Sequence, residues 1–119
     1  MWWATDAPQL SDTAREHIEA APRLGVSPMS CWEVASLVRR GRLGLTAPVG
    51  PWIAAALSRD RVELLPLSPA TAIFAGSLAE PFPGDPADRL IYATALTQEA
   101  QLVTKDARIR DFDPDRTVW

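Results

Sequence analysis

Apolar positions in this chain fall into short runs, some spaced for one face of a helix and others continuous enough for a buried strand. Ser11 can cap a helix through about Ala21, in which Ala14, Ile18 and Ala21 share one face. Leu24-Gly25-Val26-Ser27-Pro28 reads as a short strand that stops at proline. In the next helix Cys31, Val34, Ala35 and Val38 recur at helical spacing, Ser30 and Glu33 have the spacing of a capping box, and Gly41 is the stop. A loop rich in Gly and Pro leads to a short helix over Trp52 to Leu57, and Val62 to Pro66 reads as a second strand.

Ser68-Pro69 places proline directly after an N-cap and opens a helix over Ala72, Ile73, Ala75, Gly76 and Leu78. Glu80-Pro81-Phe82-Pro83-Gly84 cannot be helical and delivers the chain to Asp85. From there the pattern predicts a helix to about Gln98, a strand from Gln101 to Thr104 with Asp106 just beyond it, a turn-rich Phe112 to Arg116, and a closing strand Thr117-Val118-Trp119. Strands alternating with helices predict an α/β fold with a largely parallel sheet.

Composition narrows the chemistry. With 119 residues and no repeat or linker, the chain has the size of one domain with one core. Cys31 and His17 are each the sole residue of their type, which excludes an internal disulfide and leaves little for a Cys or His metal cluster. His17 reads as a solvated helix residue. A net charge of -3 argues against a diffuse basic surface for nucleic acid. Arg39, Arg40 and Arg42 cluster at a helix C-terminus, where the macrodipole favours cations, or else form an RNA-facing rim. No apolar run approaches the roughly 20 residues that span a bilayer, and the N-terminus lacks signal-peptide character, so the expected setting is the cytoplasm.

Oxygen chemistry remains. In an open parallel α/β sheet, ligands bind beyond the carboxyl ends of the strands. Glu33 follows a strand, Asp106 lies just past another, and Asp88 sits in the first turn of the helix between them. Carboxylates gathered there repel one another unless a cation lies among them, and an all-oxygen donor set favours Mg²⁺ or Mn²⁺ over zinc. Each acid also has a plainer reading. Glu33 can complete a capping box, and Asp85-Pro86 is ordinary helix initiation that accounts for Asp85. Asp88 can fold back on that cap, although Asp85 already fills it. The Thr104 hydroxyl, two residues before Asp106, can orient a ligand water or be a simple strand residue.

Asp85-Pro-Ala-Asp-Arg-Leu-Ile-Tyr-Ala-Thr-Ala-Leu, followed at the right interval by Leu-Val-Thr-Lys-Asp106, resembles the C-terminal half of PIN-domain ribonucleases of the VapC toxin type. Ser30-Cys-Trp-Glu-Val-Ala is similar to that family's second acidic motif, and Trp-Trp-Ala-Thr-Asp-Ala-Pro-Gln-Leu-Ser and the closing Arg-Thr-Val-Trp are in keeping with it. The resemblance implies a PIN-like three-layer fold, a central mostly parallel sheet flanked by helices, and a Mg²⁺- or Mn²⁺-dependent endoribonuclease. It further implies the toxin half of a toxin-antitoxin pair, a homodimer bound by a small VapB-like antitoxin. Carried over by position, Glu33, Asp88 and Asp106 are the metal-site acids, with Thr104 and Asp85 supporting. Arg89, Lys105 and Arg108 are candidates for RNA phosphates, or else solvated charges.

The family pattern also begins with an apolar strand ending in an aspartate, ahead of the segment that here is Met1-Trp2-Trp3. The chain as written is therefore expected to be a single PIN-like domain over 1–119 lacking that strand, with impaired catalysis. Asp6 and Asp12 lie too far along to replace the acid. A different class of function is a non-enzymatic binding module whose acids only cap helices. Trp32 and Trp52 would then serve partner surfaces, although core packing is their expected fate. A phosphatase or receiver-like domain fits poorly, since Lys105 directly precedes Asp106.

Overall fold

A computed structural model describes residues 10–119 of the chain. The expectations for Met1-Trp2-Trp3 and for Asp6 lie outside the described residues. Helix α1 (Asp12–Ala20) starts where Ser11 predicts, its hydroxyl accepting the Ala14 N–H at 3.0 Å. Strand β1 (Leu24–Val26) and helix α2 (Pro28–Arg39) follow. The capping box does not form, because α2 begins one turn earlier than Ser30. Ser27 is the N-cap, accepting from Met29 N at 3.1 Å, and Pro28 takes N1, where its missing N–H costs nothing. Gly41 then adopts φ 72°, the left-handed conformation that favours glycine just past a helix end.

Helix α3 (Val49–Leu57), strand β2 (Val62–Leu64) and helix α4 (Pro69–Ser77) occupy their predicted places, α3 starting three residues earlier than the apolar run. Helix α5 (Pro86–Thr97) is capped by Asp85, whose Oδ1 accepts the N–H groups of Ala87 at 2.8 Å and Asp88 at 3.2 Å. Strand β3 (Leu102–Val103) is followed by helix α6 (Ala107–Phe112), which the sequence reading missed, and by strand β4 (Thr117–Val118). Among the described residues no helix is long and apolar enough to cross a membrane.

The strands are parallel, as the βα alternation requires. They form two ladders: β1 pairs with β2 in the register Leu24 to Val62, and β3 with β4 in the register Leu102 to Thr117. Among the described residues β1 and β3 do not pair with each other. Side chains bridge them instead. Leu10, Ala14 and Ile18 bury themselves against Leu24 of one ladder and Val103 of the other, with Trp119 alongside. A second cluster joins Phe82, Tyr92 and Ile109 to Leu102 and Phe112. Its rings meet at 4.8 Å (Phe82 to Tyr92) and edge-on at 5.1 Å (Phe82 to Phe112), favourable geometries for aromatic contact. Helix α5 packs on both α4 and α2, and its second half is buried on nearly every side, at Tyr92, Ala93, Thr94 and Ala95.

Not every apolar side chain follows the expected pattern. Trp32, expected to pack in the core for its hydrophobicity, is 58% exposed: it lies off the apolar face of Cys31, Val34, Ala35 and Val38 that the helical spacing predicts. Trp52, expected in the core, is half-buried.

Candidate active site

Between the two ladders opens a cavity of about 520 Å³, lined by β1 and Ser27 beyond it, by β3 with Thr104 to Asp106 beyond it, and by one face of α5. Glu33, Asp88 and Asp106 all line it. Three separate elements thus bring the predicted acids to one space. Glu33 comes from the second turn of α2, Asp88 from the first turn of α5, and Asp106 from the N-cap of α6. Loss of the capping box removes the plainer reading of Glu33, since the backbone it was to cap is inside the helix.

Asp106 acquires a second role. Its Oδ1 accepts the Arg108 N–H at 2.8 Å, so this carboxylate caps α6, and Thr104 Oγ1 accepts the Asp106 N–H at 3.2 Å, fixing the turn after β3. Thr104 therefore supports the acid by holding its backbone. Asp85 is occupied by its cap and is not among the residues lining the cavity. Its charge still reaches the site, contributing to the environment of both Glu33 and Asp88.

Electrostatics distinguish the three acids. Burial pushes the Glu33 carboxyl above the ordinary range, and the charges of Asp88 and Asp85 push it further. Asp88 is raised by burial first, then by Asp85 and Asp106, with Arg108 acting in the opposite sense. Asp106 moves the other way, held low by the hydrogen bond from the Arg108 side chain. The acids of α2 and α5 are thus raised by burial and by neighbouring carboxylates, while the acid beside Arg108 is lowered.

The basic candidates separate cleanly. Arg108 is exposed and turned back onto the acids: Nη2 lies 2.9 Å from Asp106 Oδ2 and 4.0 Å from Asp88 Oδ2. Lys105 lies on the cavity rim. Arg89 must be withdrawn from the phosphate set. Its Nε donates to Pro83 O at 3.0 Å, and Nη1 donates to Ala75 O at 3.1 Å and Leu78 O at 3.0 Å. It closes the C-terminal end of α4, where carbonyls lack helical partners, and lies 5.8 Å over the Phe82 ring. Arg39, Arg40 and Arg42 are exposed at the end of α2, away from the cavity lining, and His17 is exposed on α1.

A divalent cation can be tested against these donors. Among the described residues no three His, Cys, Asp or Glu side chains come close enough to hold a metal ion. The three-acid cluster expected from sequence does not close. Asp88 and Asp106 nevertheless face one shared cationic position, now taken by Arg108. Magnesium keeps several waters and needs only one or two carboxylates, so this all-oxygen pair fits it, with Glu33 lining the same cavity.

Parallel strands with acids beyond their carboxyl ends are an α/β arrangement, and the chain belongs to the PIN domain family, which matches residues 1–114. It is similar to Ribonuclease VapC22 of Mycobacterium tuberculosis (strain ATCC 25618 / H37Rv), with 41% identity over 120 residues covering 99% of this chain and 91% of that protein. No solved structure matches the chain.

Proposed function

We propose that this protein is a metal-dependent ribonuclease of the VapC toxin type, acting as a single PIN domain in the cytoplasm. The observation that carries the reading is the arrival of Glu33, Asp88 and Asp106 from three elements in one cavity, where burial and mutual repulsion raise Glu33 and Asp88. The relative named as a ribonuclease supports the substrate class. A bound Mg²⁺ or Mn²⁺ would supply Lewis-acid polarisation of a phosphodiester and a more acidic water.

In this reading Asp88 and Asp106 hold the cation, and Glu33, in the same cavity, accepts a proton from water, a task suited to a carboxyl whose pKa is raised. Lys105 and Arg108 orient RNA phosphates at the rim. Pairing with a VapB-like antitoxin and with a second copy is part of the same proposal. It is supported by exposed apolar side chains at Trp32, Ile73 and Phe74, which a partner would cover.

A second reading, a PIN-like binding module without catalysis, is favoured by one observation: no three described acids close on a metal position. Incubating the protein with a mixed RNA pool in Mg²⁺, Mn²⁺ or EDTA separates the two. The ribonuclease reading expects cleavage that needs the metal and falls at least about 100-fold in Asp88→Asn and Glu33→Gln, the scale of losing one catalytic group. Undiminished cleavage by both variants, or none by the parent protein in either metal, refutes it.

A further inference from the structure

Arg108 is 68% exposed in its side chain, yet it does not extend into solvent. It folds back so that a single nitrogen, Nη2, stands between Oδ2 of Asp106 at 2.9 Å and Oδ2 of Asp88 at 4.0 Å. These carboxylates belong to different elements. The two oxygens of Asp106 are not equivalent either. Oδ1 already accepts the backbone N–H of Arg108 as the cap of α6, with Nε also 3.3 Å away. Oδ2 is therefore the oxygen left for a ligand, and it is the one that Nη2 takes.

The guanidinium end of this contact lies mostly in water while the two carboxylates are only 23% and 24% exposed, so it opens at modest cost where salt screens it. The side chain can leave without disturbing the cap, which uses only the backbone N–H. Once released, it remains tethered at the mouth of the cavity as a planar, permanently charged donor fork suited to a phosphate.

We propose that Arg108 is a built-in placeholder for the divalent cation. It neutralises Asp88 and Asp106 in the metal-free protein, is displaced when Mg²⁺ or Mn²⁺ binds, and then offers its guanidinium to a nucleic-acid phosphate. The inference rests on the reading of this cavity as a metal site, and it adds a consequence that reading lacks. Metal and polyanion bind with positive coupling through one side chain, and by linkage each strengthens the other equally.

The test uses the full chain and two readouts other than cleavage. Mn²⁺ affinity is measured by the electron paramagnetic resonance signal of free Mn²⁺ for the parent protein, Arg108→Gln, Asp88→Asn and Arg110→Gln. Glutamine keeps the backbone N–H that α6 needs and suits a helix, and urea unfolding verifies that each variant is folded. The placeholder predicts that Arg108→Gln binds Mn²⁺ about two- to fivefold more tightly, the scale set by an exposed ion pair. Arg110→Gln, which removes a charge from the same helix but donates to Lys105 O rather than to an acid, is expected to shift far less.

In the second readout, anisotropy of a labelled 2′-O-methyl oligoribonucleotide is expected to show Mn²⁺ strengthening binding to the parent protein and to lose that enhancement in Arg108→Gln. If Asp88→Asn weakens Mn²⁺ binding while Arg108→Gln leaves it unchanged, or matches Arg110→Gln, the placeholder is overturned and the metal site stands. If neither the parent nor Arg108→Gln binds Mn²⁺, both are overturned.

Discussion

Replacing Arg89 with methionine separates stability from substrate contact. The guanidinium serves three carbonyl oxygens, of Pro83, Ala75 and Leu78, at 3.0 to 3.1 Å. Methionine keeps an apolar stem of similar reach but leaves all three acceptors. Each orphaned acceptor costs about 1 kcal/mol where water can re-enter and up to about 3 where it cannot. Ala75 is only 2% exposed, which places its carbonyl towards the costly end, although the Leu78 N–H at 3.4 Å offers partial relief. The expected loss is about 3 kcal/mol in total, a large share of the roughly 5–15 kcal/mol that holds an ordinary domain together.

With a urea m-value near 1.5 kcal/mol/M, that loss moves the unfolding midpoint down by about 2 M. Equilibrium unfolding followed by tryptophan fluorescence reads it directly. Affinity for a nuclease-resistant oligoribonucleotide, measured well below the variant's midpoint, is expected to hold. A midpoint shift under about 0.3 M accompanied by weaker oligonucleotide binding would refute the reasoning and return Arg89 to the phosphate set.

Other outcomes follow from the same structure. Glu33 and Asp88 have raised folded-state pKa values, so the folded protein binds more protons than the unfolded chain as pH climbs past 4.5 and 3.8 respectively. Stability of the metal-free protein therefore falls as pH rises through that window, and Asp88→Asn flattens the fall; a steeper one would contradict the assignment. Asp106→Ala is expected to cost about 1 kcal/mol through the lost cap of α6 while Asp106→Asn costs less, as read by thermal unfolding. Tyr92 donates to Asp113 Oδ2 at 2.7 Å, and burial with that bond pushes its phenol up to about 12. As the only tyrosine, it gives a clean ultraviolet titration that stays flat through ordinary phenol ionisation near pH 10. Tyr92→Phe is expected to lose about 1–2 kcal/mol.

Much of the fold was legible because its punctuation is local. Ser11, Ser68-Pro69 and Asp85-Pro86 each start a helix by satisfying its first N–H groups, and that chemistry reads the same in sequence and in structure. Where two local signals competed, the reading erred. Ser27-Pro28 and Ser30-Glu33 both qualify as helix starts, and the earlier pair prevails because proline is already set for the first helical position. Helix α6 was passed over because it is six residues long, although Asp106 as cap with Ile109 and Phe112 on one side was a signal that could have found it.

That the three acids line one cavity was legible, because the carboxyl ends of parallel strands share one edge, but that they do not close on one point was not. Nor were their separate duties. That Asp106 also caps a helix, that Arg108 covers it, and that Arg89 turns inward to α4 all depend on long side chains choosing among partners that no spacing in the sequence specifies.

The absence of a ladder between β1 and β3 among the described residues has a mechanical side. Glu33 stands on the half of the protein that contains β1 and β2, Asp106 on the half with β3 and β4, and Asp88 on the beam that α5 lays between them. Among the described residues, the spacing between Glu33 and Asp106 is thus set by packed side chains rather than by backbone hydrogen bonds between their ladders.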